Sequence, residues 1–127
     1  MKPIFLVDDS PTILLSMTTI LTKAGYAVEK AASGEEALAK VQAGLSFCLM
    51  ITDYNMPGIN GVQLIQELRR VSALRFAPML MLTTESEQEK RDQAKSAGAT
   101  GWLVKPVTAE KLLQVIAQVA PSALATA

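Results

Sequence analysis

Short apolar runs alternate with helix-periodic stretches five times along the chain, and few architectures absorb that pattern. Ile4–Val7 reads as the first strand. Ser10 then serves as an N-cap with Pro11 at the first helical position. Ile13, Leu14, Met17, Ile20, Leu21 and Ala24 follow at helical spacing until Gly25 closes the helix. Residues 26–31 form a second strand, and Glu29 and Lys30 within it suit a sheet edge. Ser33 and Glu36 make a capping box for a helix through Val41, with Gly44 beyond its end. Residues 48–52 are almost wholly apolar, as a strand buried on both faces should be, and Asp53 ends them. The loop YNMPGING leads to a helix with Val62, Ile65, Leu68 and Val71 on one face. Residues 79–82 are another apolar strand, ending in Thr83 and Thr84. Ser86 and Glu89 cap a helix that is polar almost all round, anchored by Ala94 and Ala97. Gly101–Val104 is the fifth strand, ending at Lys105 and Pro106. Thr108 opens the last helix, which turns Leu112, Leu113, Ile116 and Val119 inward.

Five strand–helix units with short connections imply a parallel sheet covered by helices on both faces, a three-layer α/β sandwich. Residues 1–120 read as one domain, with 121–127 as a short tail. Composition narrows the function. Twelve basic and twelve acidic side chains cancel, so no basic field points to nucleic acid or anionic lipid. The apolar runs fall far short of the ~20 residues a membrane span needs. An acidic pair within the first nine residues is unlike a signal peptide, and residence in the cytoplasm is expected. A single cysteine, Cys48, excludes an internal disulfide and a CxxC site. The absence of histidine excludes Ser-His-Asp and Cys-His nucleophile systems, HExxH zinc sites and a phosphohistidine carrier. A bound metal would take oxygen ligands, which favours Mg²⁺ or Mn²⁺ over zinc.

Ligands of an open parallel sheet bind beyond the carboxyl ends of its strands, so polar residues mean most there. Four of the five strands finish in one: Asp8 and Asp9, Asp53, Thr83, and Lys105. In a sheet of order 2-1-3-4-5 those four ends are consecutive and form one basin. The second strand, the most polar, falls on the far edge. Singly, an aspartate at a strand end is commonly an N-cap, a lysine is solvated, and a threonine caps or turns. Three carboxylates, a hydroxyl and an ammonium on one rim are a different matter. Two like charges about 4 Å apart repel by roughly 4 kcal/mol at an effective dielectric near 20. The pair Asp8 and Asp9 therefore expects a positive partner.

The strings LVDDS, ITDYNMPGING, MLTTE and VKP resemble the bacterial response-regulator receiver domain, across essentially the whole chain. Asp53 follows Asp9 by 44 residues, Thr83 follows Asp53 by 30, and Lys105 follows Thr83 by 22, all close to the family's intervals. The flavodoxin-like (βα)5 order 2-1-3-4-5 is that of a known family member and comes with the resemblance. The resemblance implies that Asp53 accepts phosphate and that Asp8, Asp9 and Asp53, with the backbone carbonyl of Asn55, hold Mg²⁺ (Mn²⁺ being possible). Lys105 would meet the phosphoryl oxygens, with its bond to Pro106 cis. Thr83 would donate to a phosphoryl oxygen as a switch, beside a small Thr84 that leaves access to the acceptor. Asn55 and Glu85 would tune hydrolysis of the acyl phosphate. Trp102 stands where relatives carry a switching aromatic, although a lone tryptophan is otherwise simply core.

The polar helix ending at Ala97 has few apolar anchors, as suits an element that shifts on activation. With the fifth strand and the last helix it would form a docking face. TTES and TGWLVKP resemble the stand-alone, CheY-like chemotaxis regulators. The resemblance then implies a monomer that is not itself an enzyme. Its phosphodonor would be a histidine kinase of the CheA-like type, and its target the flagellar motor switch or another docking protein. A phosphatase could act on it. A phosphate sink or relay receiver is the rival within this fold. A haloacid-dehalogenase-like phosphatase would need its nucleophile in a DxD pattern on the first strand, where this chain has adjacent Asp8 and Asp9. A flavodoxin-like flavin carrier would need an uncharged, hydroxyl-rich loop there. Asn60, where an acidic residue is common, and the apolar LSFC before the third strand depart from the family pattern.

Overall fold

The strict alternation of side chains along a strand decides how this chain divides its core. A computed structural model describes residues 2–83 and 88–120. Its elements run β1 (Ile4–Val7), α1 (Pro11–Lys23), β2 (Val28–Ala31), α2 (Gly34–Gln42) and β3 (Leu49–Asp53), followed by α3 (Gly61–Leu68), a 3₁₀ turn (Ser72–Leu74) and β4 (Met79–Thr83). The chain continues through α4 (Gln88–Ala97), β5 (Gly101–Val104) and α5 (Ala109–Val119). The five strands form one parallel sheet of order β2-β1-β3-β4-β5. The flavodoxin-like expectation is met.

β1, β3 and β4 are buried on both faces, and their residues sort by parity into two cores. Phe5, Val7, Met50, Met79 and Met81 face α2 and α3, joining Ala37, Leu64, Ile65 and Leu68, with Ala97 from α4. Ile4, Leu6, Leu49, Ile51, Leu80 and Leu82 face α1 and α5, joining Met17, Leu21, Leu112 and Ile116. A helix lies over each face because neither side of the sheet can be left to water. β2 is the expected edge. It is only partly buried, and Lys40 of α2 reaches back to its Glu29 carboxylate at 3.0 Å and to its Lys30 carbonyl.

Three N-caps read from the sequence form: Ser10 accepts the Ile13 amide, Ser33 the Glu36 amide and Thr108 the Lys111 amide. The expected box at Ser33 closes on one side only, because the Glu36 carboxylate accepts the Ala32 amide at 3.3 Å rather than that of Ser33. Several boundaries move. β2 begins at Val28, because Tyr26 is buried in a turn where its amide donates to the Leu21 carbonyl. β3 starts and ends one residue later than expected, and β4 runs on to include Thr83. Val71 does not lie on the inner face of α3. That helix stops at Leu68, the chain turns into the 3₁₀ segment, Val71 is exposed, and Leu64 takes the inner position. Leu113 and Val119 are half-buried at the margin of the second core, with Leu112 and Ile116 at its centre. Trp102 is 38% exposed on the edge strand, so it is not a core residue. The two departures from the family pattern have local explanations. Asn60 is the N-cap of α3 in a reciprocal capping box with Gln63, and Phe47 of LSFC is buried with its ring centroid 5.7 Å from that of Phe5. The expected cap Ser86, the small neighbour Thr84, the Glu85 position and the tail from Pro121 lie outside the described residues.

Candidate functional site

Parallel pairing brings the strand ends together residue by residue. Val7 lies opposite Thr52, so Asp8 follows at the level of Asp53, and Asp53 itself lies opposite Leu82, one residue before Thr83. Asp8, Asp53 and Thr83 are all buried, while Asp9 is exposed at the rim. One carboxylate oxygen from each of Asp8, Asp9 and Asp53 lies within 4.8 Å of the others, a group that could hold a metal ion. The Lys105 ammonium completes the cluster, 3.0 Å from Asp53 Oδ1 and 3.5 Å from Asp8 Oδ2. The predicted basin is present.

Local backbone geometry fixes each member. Asp8 donates its amide to the Ala31 carbonyl, and its Oδ1 accepts the Ser10 amide at 2.9 Å, just before Ser10 caps α1. Its other oxygen, Oδ2, is buried and accepts no hydrogen bond from the described residues, the Lys105 ammonium standing 3.5 Å away as its ion-pair partner. Burial raises the Asp8 carboxyl above its usual range; the Ser10 amide pulls it down, the charge of Asp53 pushes it up, Lys105 lowers it, and Asp9 adds a further push. Desolvation wins. A buried oxygen that accepts no hydrogen bond, on a carboxylate whose burial outweighs the nearby ammonium, is the arrangement a divalent cation would relieve.

Asp53 ends β3, and the loop after it closes on itself, with the Gly61 amide donating to the Tyr54 carbonyl at 3.1 Å. Gly61 has no room for a side chain: a Cβ there would strike the Asp53 carbonyl oxygen and lie 2.6 Å from the Met81 sulfur. The Tyr54 amide donates to the Leu82 carbonyl, and its hydroxyl donates to Gln93 of α4, linking the neighbour of Asp53 to that helix. Lys105 is held from β4, its amide donating to the Thr83 carbonyl at 2.7 Å, and the Lys105–Pro106 bond is cis as the resemblance implied. Beside the ammonium, a groove of about 420 Å³ opens between α1 and the β5–α5 connection, lined by Ile13, Ser16, Met17, Leu82, Pro106 and Val107.

The structure therefore gathers Asp8, Asp9, Asp53 and Lys105, with Thr83 buried at the neighbouring strand end. Asn55 is exposed in the loop just after Asp53, and Trp102 lies further back on β5, away from the strand's end. Glu85 is outside the described residues. Sequence reading passed over Gly61 and Tyr54. The glycine after an N-cap was a usable signal for close backbone approach, whereas the Tyr54–Gln93 contact spans two helices' worth of chain and had none.

Comparison with known proteins agrees with this geometry. The family model described as the response regulator receiver domain matches residues 4–117. The chain is 33% identical over 117 residues to the chemotaxis protein CheY of Pseudomonas aeruginosa, covering 91% of this chain and 94% of that protein. It is 36% identical over 110 residues to CheY-3 of Vibrio cholerae, covering 86% of this chain and 84% of the relative. Among solved structures, Vibrio cholerae CheY4 superposes with a TM-score of 0.89 at 45% identity, over 94% of this chain and 98% of the other.

Proposed function

The chain belongs to the response regulator receiver domain family and is of the type met in the chemotaxis regulators it matches; on that premise we propose that Asp53 accepts a phosphoryl group from a phosphohistidine on a partner kinase. The P–N bond of the donor breaks as a P–O bond forms to the Asp53 carboxylate, and the freed imidazole takes its proton from solvent. Such a transition state is loose, so the protein's work is to position groups and neutralise charge. The carrying observation is the buried Asp53 carboxylate with the Lys105 ammonium at 3.0 Å.

Lys105 moves with the charge: its ammonium leaves the free carboxylate and meets the phosphoryl oxygens. The Thr83 hydroxyl, buried at the adjacent strand end, donates to one of those oxygens and draws the following loop inward. Asp8, Asp9 and Asp53, with the backbone carbonyl of Asn55, would hold Mg²⁺ or Mn²⁺; the buried Asp8 Oδ2, which accepts no hydrogen bond from the described residues, and the all-oxygen ligand set support that fit. The ion supplies neutralisation of the phosphoryl oxygens. Asn55 and Glu85 govern the approach of the water that later attacks phosphorus, releasing inorganic phosphate and restoring the carboxylate. Trp102 is the switching aromatic, turning inward from its exposed position on activation. α4, β5 and α5 then present the docking face to a target, and the likeness to chemotaxis proteins supports reading that target as a flagellar motor switch protein in the cytoplasm.

Intact mass after incubation with acetyl phosphate and Mg²⁺ tests the acceptor. Wild type is expected to gain one phosphate and Asp53→Asn none; an adduct of equal yield in the variant would place the acceptor elsewhere. Unchanged affinity for a motor-switch peptide after phosphorylation would favour a phosphate sink.

A further inference from the structure

The pole opposite Asp53, where β4 begins, carries a feature the phosphorylation chemistry does not use. Phe76 is 92% exposed, the most exposed of the large apolar side chains among the described residues. The loop that holds it is braced from below. The Arg69 guanidinium donates to the carbonyls of Leu74, Arg75 and Ala77, on both sides of Phe76, and also to that of Gly98 at the end of α4. Leu74 is buried beneath the loop as its apolar anchor. Phe76 is thus presented on fixed backbone, which lowers the ordering cost of inserting it into a partner.

Its surroundings are cationic. The Arg75 guanidinium lies 5.8 Å from the centre of the Phe76 ring and has no carboxylate partner among the described residues. Arg70 is largely exposed and only loosely paired with Glu67, at 3.9 Å. Val71, exposed in the same segment, adds apolar surface. Phenylalanine or arginine at the centre of a contact, fixed in advance, is the composition of a protein-binding hot spot. Two arginines are too few to hold a membrane surface, where clusters of about four to eight are needed. The balanced total charge likewise argues against nucleic acid.

We propose that Arg70, Arg75 and Phe76 form a second docking surface, for an acidic segment of a partner protein that seats the Phe76 ring among apolar side chains. Because this surface lies at the amino ends of the strands, binding there is independent of the phosphorylation state of Asp53. The chain can then be held on one protein while its carboxyl-end pole exchanges phosphate with another.

Peptide-library display against the full chain, with counter-selection on Phe76→Ser, tests this. Enriched sequences are expected to combine Asp or Glu with aromatic or aliphatic residues. A selected peptide, titrated against ¹⁵N-labelled protein, should shift the amides of residues 70–77 and bind at least tenfold more weakly to Phe76→Ser and about threefold more weakly to Arg75→Gln. Its affinity should be equal with and without acetyl phosphate and Mg²⁺. Basic or Phe76-independent sequences would overturn the proposal. So would Phe76-dependent sedimentation with phosphatidylserine vesicles in place of peptide binding, or a dimer in ultracentrifugation that Phe76→Ser abolishes. Both variants change exposed side chains and should still gain one phosphate on Asp53, so failure here is distinguishable from failure of the phosphoacceptor reading.

Discussion

Two cations mark the two poles of this molecule, and their partners differ in kind. Lys105, at the carboxyl end of the sheet, faces the carboxylates of Asp53 and Asp8. Arg69, at the opposite end, meets backbone carbonyls alone among the described residues, with five hydrogen-bond contacts to four of them. A carbonyl dipole does not change with ligand or pH, so Arg69 is a permanent brace between the α3–β4 turn and the end of α4. Burial lowers the guanidinium's affinity for its proton, yet it starts so high that it remains charged. A carboxylate can be phosphorylated, protonated or metal-bound, so the hold on Lys105 is conditional. One hold is fixed; the other, on the proposed function, is rearranged.

The sharpest way to break that contrast is to remove each cation. Arg69→Ala should cost about 3 kcal/mol of stability, since several carbonyls lose a charged donor at once. Urea unfolding would show it as a lower midpoint, while intact mass should still find one phosphate on the folded variant. Lys105→Met should invert the pattern, slowing phosphate gain from acetyl phosphate about 100-fold, equivalent to about 2.7 kcal/mol of barrier. Its unfolding midpoint should move less than that of Arg69→Ala. If both variants lost stability and phosphorylation alike, the division between poles would be wrong.

Smaller effects sharpen the account of the reactive pole. Gly61→Ala drives a methyl group against the Asp53 carbonyl and the Met81 sulfur, and overpacking there should cost about 2 kcal/mol in urea unfolding. Asp8→Asn should raise stability by about 1 kcal/mol at pH 7 without divalent ions, because it removes a charge that burial and Asp53 disfavour. The sign reverses the usual carboxylate case. The folded state raises the Asp8 carboxyl, so it holds the proton to higher pH than the unfolded chain does. The cost of ionised Asp8 is absent below the unfolded carboxyl range, near pH ~3.9, and complete above the raised folded value. The advantage of Asp8→Asn should therefore fade as pH falls toward 4. Added Mg²⁺ should reverse the ranking. At ten times its dissociation constant it stabilises wild type by about 1.4 kcal/mol, and Asp8→Asn, with one ligand weakened, should gain less in parallel thermal melts.

The residues of the reactive pole were legible because each stands at the end of an apolar run, where a parallel sheet exposes its ligands. Asp8, Asp53, Thr83 and Lys105 needed no knowledge of side-chain packing to be picked out. The brace was not legible. Arg69 reads as one more solvated charge in RRVSALRF, and its partners are carbonyls, which every residue carries and no sequence pattern marks. Val71 was misplaced for the same reason: helical periodicity continued past Leu68, but the turn that Arg69 pins had already ended the helix.

Local rules thus determined the strands, the caps and the chemistry of their ends, since alternation, capping and burial act over a few residues. Only the assembled sheet decided which charges meet. It brought Asp8 to the level of Asp53, set the Lys105 ammonium against both carboxylates, and turned Phe76 outward on a braced loop. Those outcomes depend on distances between segments far apart in the chain, and such distances exist only once the core has closed.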